Sequence, residues 1–428
     1  MELKTSRNLL ERARRVIPSA TQTFSKGPTQ WPRADAPNYL TRGAGAWVWD
    51  ADGNKFLDCL MALGPIILGY GDKQVDAACA RQMAEGTVFS QMHPLEVDVA
   101  EMLVDIIPCA EMVRFGKSGS DVTTAAIRAA RAYTSRDHVI MCGYHGWHDW
   151  CIGTTTRDLG VPRAVAELTQ TFAYNNVASL EAALDARPGQ VAAVIMEPVG
   201  VIAPEPGFLE AVRDLAHRHG ALLIYDEVVT GFRTHLGGAQ ERFGVIPDLA
   251  CFGKAMANGY PLSAVVGKRD VMEVFDKIFY SGTFGGETVS LAAGKATIEA
   301  LRDTDALARI QTHGTAFMAM AERLIEENGL RGVIKVKGFP ERFLLDMSSE
   351  KGDQETRTRK TYFMQECARR GLLYYCLNVT CAAHGPEELA FSENVFREVL
   401  PLFARAHQAN DFAARLQGPA IEPVFRQP

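Results

Sequence analysis

Between about residue 100 and residue 300, short apolar runs alternate with stretches of helical period, and this alternation narrows the fold more than any other feature of the chain. Residues 138–142, 191–196, 221–225 and 249–252 are apolar runs bounded by Gly, Pro or a charged residue. Strands of that composition are buried on both faces, the condition of a parallel sheet covered by helices. Helices are expected over 122–133, 179–186 and 208–219, the last followed by Gly220 where a C-cap glycine belongs. The expected fold is α/β, with a large, mostly parallel sheet domain over residues 61–305. The flanks read differently. Residues 1–60 hold an amphipathic basic helix, a Pro-rich passage and a hairpin turning at Asp52-Gly53. Beyond residue 305 come helices at 303–328 and 355–370 and short strands at 342–345 and 372–375. The two ends, 1–60 and 306–428, are expected to build a smaller α+β domain together.

In an open α/β sheet a ligand meets the carboxyl ends of the strands, so the residues directly after each run carry the chemistry. The run 221–225 ends in Asp226-Glu227. An acid there serves as a helix N-cap or a surface charge. In the functional reading Asp226 is a fixed anion that keeps a heteroaromatic nitrogen protonated, as the ring of pyridoxal 5'-phosphate requires if it is to accept electrons. The run 249–252 leads into Gly253-Lys254. Most lysines are solvated surface charges. One set among small residues at a strand end is placed to form an imine with such a cofactor. Ser118, Gly119 and Ser120 precede a helix, where hydroxyls and amides bind anions, though plain capping explains them equally. The Gly-x-x-x-x-Gly-Lys spacing of a nucleotide loop is absent. The run 138–142 leads into Gly143-Tyr144-His145-Gly146-Trp147-His148-Asp149-Trp150. Tyr144 is suited to stack on a flat ring. A zinc site from His145, His148 and Asp149, or aromatic packing alone, are the competing readings.

Composition closes several alternatives. A net charge of -6, with Lys and Arg scattered, offers no basic field to a nucleic acid. The nine cysteines stand singly with no C-x-x-C pair, so reduced thiols and no metal are expected. No apolar run reaches the roughly 18 residues that span a bilayer. A cytoplasmic protein without membrane or nucleic-acid partners is the expectation.

Taken together, these segments resemble the class III aminotransferases of pyridoxal-phosphate fold type I, and among them the glutamate-1-semialdehyde 2,1-aminomutase group. The resemblance runs from Ser6-Arg7 through Trp49–Asn54 and Gly64–Gly69 to Ser118–Asp121, Tyr144-His-Gly146 and Glu197-Pro198. It continues through Asp226–Arg233, Gly253-Lys254 and Gly282-Thr283 to Ala383-His-Gly385. It implies that Lys254 is the Schiff-base lysine and proton carrier, and that Asp226 pairs with the pyridinium. It implies that Ser118, Gly119 and Ser120 hold the phosphate, and that Tyr144 and Val228 cover the two ring faces. Glu197 would lie near the ring's phenolic oxygen, and Thr283 would reach the phosphate of a neighbouring subunit, which makes the expected assembly a homodimer with shared sites.

The resemblance breaks in four places. Thr23-Phe-Ser-Lys26 stands where the aminomutases carry Ser-Pro-Val-Arg. Residues 372–384 lack a Phe-Glu-Ala-Gly passage. Gly285-Gly-Glu287 replaces Ser-Gly-Asn, and Trp147-His-Asp-Trp150 replaces a simpler loop. These changes remove a carboxylate clamp and add polar and aromatic groups. The amino group is therefore expected to pass from an amino-acid donor to an aldehyde or ketone, with a sugar or aminocyclitol carbonyl and amino-sugar biosynthesis as the finer reading. Lys26, Trp147, Trp150, Glu287 and Asn378 are the candidate contacts. The rivals are the aminomutase itself, a non-catalytic binding module, and a lyase or decarboxylase on the same cofactor.

Overall fold

A computed structural model describes residues 1–423 and divides them into two compact units, Lys73–Leu307 and a unit made of Met1–Asp72 with residues 308–423.

In the first unit seven strands form one sheet: β1 (Met112–Gly116), β2 (His138–Cys142), β3 (Thr169–Thr171), β4 (Val191–Met196), β5 (Leu222–Asp226), β6 (Leu249–Phe252) and β7 (Ser263–Gly267). Their spatial order is β1-β7-β6-β5-β4-β2-β3. β2 to β6 run parallel, while β7 is antiparallel to both β6 and β1. Every residue of β4, β5, β6 and β7 is buried, which accounts for the unbroken apolar character of β4 and β6. Helix α1 (Gly119–Thr134) lays Val122, Ala125, Ala126, Ile127, Ala129 and Ala130 on this sheet. Three strands escaped the sequence reading. β1 carries an arginine, β3 is Thr-Gln-Thr and β7 is a short run ending in Gly, so none shows the long apolar signature of the others. The expected helix at 303–328 is in fact the second of two, α2 (Thr288–Asp303) and α3 (Ala306–Glu327). Thr304 separates them: its Oγ1 donates to the Ala300 carbonyl at 2.6 Å and accepts from Ala306 N at 3.2 Å.

The second unit contains two small sheets. One orders Leu40–Ala44, Trp47–Asp50, Lys55–Asp58 and Leu372–Leu373; the other orders Lys335–Phe339, Arg342–Asp346 and Leu377–Val379. The hairpin turns at Asp52-Gly53, with Gly53 at φ +88° and Asp50 Oδ1 accepting from Asp52 N and Asn54 N. Asp52 in turn accepts from Thr5 N at 2.6 Å and Ser6 N at 2.9 Å, fixing the first turn of the helix Lys4–Val16. Phe317, Phe343, Phe363, Tyr374, Phe396 and Phe403 form the centre of the unit's core, mostly edge to face. Among the described residues no helix is long and apolar enough to cross a membrane.

His313 is buried in this unit and stacks on His384 with centroids 5.1 Å apart. Burial pushes its pKa down from 6.5 to about 4. The unfolded chain therefore takes up a proton there between pH 6.5 and 4 that the folded chain refuses, so stability falls as pH drops through that window. His313→Gln is expected to remove up to about 3 kcal/mol of this acid-dependent loss, read from denaturant midpoints at pH 7 and pH 4.5.

Candidate active site

β5 and β6 are neighbours with Asp226 opposite Cys251, so the residues that follow each strand emerge side by side at one edge of the sheet. Asp226 is the last residue of β5 and Lys254 opens a 3₁₀ turn two residues beyond β6. Lys254 has φ +42°, a left-handed conformation uncommon for a side chain of its size. Val228 links the two turns and the start of α1. A methyl on Gly119 would lie 3.0 Å from Val228 Cγ1, and one on Gly253 3.6 Å from the same atom. One side chain thus touches the loop before α1, the turn that carries Lys254 and, through its own backbone, Asp226.

Ser118 caps α1: its Oγ accepts from Asp121 N at 3.3 Å while Asp121 Oδ2 accepts from Ser118 N at 2.8 Å. Ser120 Oγ accepts from Trp147 N at 3.2 Å. Both hydroxyls are engaged as acceptors, which leaves their protons free to donate to an anion beside the first turn of a sixteen-residue helix. Plain capping explains the Ser118-Asp121 box but not the second hydroxyl.

Tyr144 to Asp149 follow β2. Tyr144 is 48% exposed, and burial of the rest of its ring pushes its phenol up. His145 is 2% exposed, with Nδ1 2.8 Å from Asp226 Oδ2 and Nε2 3.1 Å from the Cys142 carbonyl. Thr123 Oγ1 donates to the His145 carbonyl at 2.7 Å, and Trp150 stacks parallel to the imidazole. His148 Nδ1 instead meets Thr124 Oγ1 at 2.7 Å. The imidazoles are therefore committed to different partners, and no group of three or more potential metal ligands occurs among the described residues. Glu197 follows β4; a side chain on Gly143 would lie 3.8 Å from Glu197 Oε1 and 3.9 Å from His145 Cε1, so the two flank that glycine.

The residues expected around a substrate scatter more widely. Trp147 is 68% exposed and open to a ligand. Trp150 is buried, its indole N–H donating to Thr124 Oγ1 at 2.8 Å, which makes it part of the packing under α1. Glu287 is the N-cap of α2, accepting from Val289 N at 2.8 Å and Ser290 N at 3.1 Å, and it pairs with Lys117 Nζ at 3.0 Å. Asn378 is buried in the second unit with its amide on Thr380 Oγ1 at 2.9 Å. Lys26 is exposed in that unit, at a cavity of about 280 Å³ that Trp31, Asn38, Asp58 and Tyr70 also line. Thr283 stands exposed on a Gly-rich loop beside a cavity of about 360 Å³ lined also by Gly116, Lys117, Arg128 and His148.

Sequence reasoning missed the contact of His145 with Asp226, having weighed its cluster as a zinc site or as aromatic packing. Its place directly after a strand was the available signal; its partner Asp226 lies 81 residues away. Gly146, at φ +118°, has no room for a side chain, since a methyl there would fall 2.4 Å from Ser120 Oγ. Gly146→Ala is expected to cost about 1–3 kcal/mol of stability and to displace Ser120, weakening binding of an anion such as pyridoxal 5'-phosphate by about tenfold. Thermal unfolding and a fluorescence titration of the chain would measure both.

Known proteins resemble this chain over most of its length. The family model described as Aminotransferase class-III matches residues 31–383. The chain is 37% identical over 409 residues to the 3-aminobutyryl-CoA aminotransferase of Cloacimonas acidaminovorans, covering 94% of this chain and 97% of that protein. It is 41% identical over 322 residues to the glutamate-1-semialdehyde 2,1-aminomutase of Roseiflexus castenholzii, 71% and 73% of the two chains. Among solved structures, the FumI protein of Sphingopyxis sp. MTA144, in its PLP internal aldimine form, superposes with a TM-score of 0.89 at 28% identity over 97% of this chain and 98% of that one. With its fold and most of its length in agreement, the chain belongs to the class III aminotransferases, pyridoxal-phosphate enzymes of fold type I.

Proposed function

We propose that this site moves an amino group from an amino-acid donor to an aldehyde or ketone acceptor, with Lys254 as its proton carrier. The observation that carries the reading is the convergence of three chemistries on Val228: two hydroxyls with free protons at a helix start, a buried carboxylate, and the turn bearing a lysine. When bound, pyridoxal 5'-phosphate supplies an electron sink for the bond being broken at the donor's α-carbon. Ser118 and Ser120 bind its phosphate, and Asp226 faces its ring nitrogen. Tyr144 and Val228 cover its faces. Lys254 would hold the cofactor through its Nζ and, once freed by the donor's amine, would carry the proton taken from the donor's α-carbon. Exposed Thr283 fits the role of an arm reaching a second subunit, so the working form in this reading is a homodimer.

The acceptor follows from what is left to bind it. Glu287, Asn378 and Trp150 have partners of their own, which leaves Trp147 in the unit that carries Lys254 to support a sugar or aminocyclitol carbonyl. The end-to-end similarity to a 3-aminobutyryl-CoA aminotransferase favours a second reading, an acceptor whose carbonyl lies β to an acyl group.

Pyridoxal-phosphate-loaded protein is expected to show a visible band that L-glutamate or L-glutamine bleaches. Borohydride reduction should attach the cofactor to the peptide containing Lys254. Lys254→Ala should lose turnover by about 10³-fold or more. Attachment at another lysine, or an unchanged band in the variant, would return the chain to the binding-module reading. A panel of donor-treated protein with an aldehyde sugar, a β-keto acyl thioester and glutamate 1-semialdehyde separates the acceptors, and turnover of the semialdehyde alone would leave the aminomutase.

A further inference from the structure

We infer that Lys117 is a positioning residue: through its ion pair with Glu287 it holds the loop that carries Thr283 at a fixed distance from the Ser118–Ser120 segment. This rests on the reading that Thr283 reaches a cofactor phosphate, but the tie itself lies within this chain and is open to test without cofactor. Lys117 stands between the end of β1 and Ser118. Asp121 Oδ2 accepts from Lys117 N at 3.1 Å as well as from Ser118 N. The carboxylate that closes the cap of α1 therefore also fixes the point from which the lysine side chain leaves. At its far end Lys117 Nζ lies 3.0 Å from Glu287 Oε2, with the two side chains 24% and 17% exposed. Glu287 follows Thr283 by four residues.

Capping of α2 does not require the lysine. The Glu287 carboxylate already accepts from the amides of Val289 and Ser290, which is all that an N-cap supplies. The additional bond from Lys117 runs to a different element and joins positions 170 residues apart. Burial alone would push the Glu287 carboxyl up, and the bonds from Ser290 and Lys117 outweigh it and hold the group below its ordinary value. Both ends of the pair are anchored by backbone amides, so little side-chain freedom is lost when the two charges meet. Glu287 is also one of the places where the chain departs from the aminomutase group.

The loop between Tyr280 and Glu287 needs such a tie. Its first stem is held by Arg128 Nη1, which donates to the Phe279 carbonyl at 2.6 Å, and by Arg114 Nη2, which donates to the Tyr280 carbonyl at 2.7 Å. At its second stem Thr288 Oγ1 donates to the Gly86 carbonyl at 2.9 Å, a bond directed away from α1. Between the stems a tight turn is closed by Gly285 N on the Gly282 carbonyl at 2.9 Å, and Thr283 and Phe284 at its tip are exposed. A cavity of about 360 Å³ opens between this turn and the first turns of α1. The tip does not pack on α1 across that space, so the separation of Thr283 from Ser118 is set at the stems. The Lys117-Glu287 pair is the stem contact that ends on the residue next to Ser118. Lys117 thus acts through Thr283.

Lys117→Met keeps an unbranched apolar stem and leaves both amides on Glu287, so the variant is expected to fold. In protein without cofactor, amide hydrogen exchange across residues 281–286 should quicken by about tenfold in Lys117→Met and return toward the wild-type rate in Lys117→Arg, while α1 exchanges as before. Wild-type exchange of that loop in the folded Met variant overturns the tie. Fluorescence titration with pyridoxal 5'-phosphate then compares Lys117→Met, Thr283→Ala and the double variant. Each single substitution should weaken binding by about tenfold, and the double by no more than Thr283→Ala alone, because the lysine has nothing left to position. Losses that multiply show that Lys117 meets the phosphate itself, and they overturn the positioning role. Faster exchange in Lys117→Met beside an affinity untouched by Thr283→Ala upholds the tie and removes the reading of Thr283.

Discussion

A carboxylate that is 4% exposed at the end of an interior strand is the constraint around which this site is organised. Asp226 cannot remain charged there without partners, since an unpaired buried charge costs several kcal/mol. Its oxygens are met by the Val228 amide, two residues on, and by His145, delivered from β2. Satisfying it fixes the turn after β5 and the loop after β2 at once. The same loop carries Gly146 and Trp147 against Ser120, so the start of α1 is held in place from the Asp226 side.

The next residue, Glu227, shows what an acid becomes when it has no access to the crevice. It is fully buried, and its oxygens accept from the Thr230 hydroxyl and from Ala239 N at 2.8 Å and Gln240 N at 2.9 Å. Burial still pushes its pKa up despite those donors. Adjacent acids thus divide the work. Glu227 ties the segment after β5 back to the start of a helix, and that tie holds Val228 where it can touch both Gly119 and Gly253.

What was legible in the sequence follows from how each feature is stabilised. β2, β4 and β6 coincide with the apolar runs at 138–142, 191–196 and 249–252, because a strand buried on both faces writes its whole length in apolar residues. β5 begins and ends one residue later than its run, since Asp226 pairs with Cys251 as a ladder residue despite its charge. β1 and β7 were not legible: they are antiparallel partners at one edge of the sheet, and Arg114 of β1 projects outward to donate to the Tyr280 carbonyl. Lys254, Asp226 and the Ser118–Ser120 segment could be singled out because each lies at a strand end or opens a helix. The His145-Asp226 pair was invisible, because nothing local to either residue encodes a contact made across the sheet.

The substrate-facing residues were the least legible, and the reason is physical. Glu287, Asn378 and Trp150 were singled out as polar or aromatic groups standing where the family has something else, but backbone amides and neighbouring hydroxyls have first claim on such groups. Two orphan amides at the start of α2 take both oxygens of Glu287, and leaving them unmet would cost about 0.5–2 kcal/mol. Trp150 surrenders its only donor to Thr124 and its ring to the core, and Asn378 spends its amide within its own sheet. A polar side chain informs on a ligand only when the fold has not already used its hydrogen bonds. By that measure Trp147, 68% exposed three residues after Tyr144, is the aromatic group of this loop that the fold leaves open to a ligand.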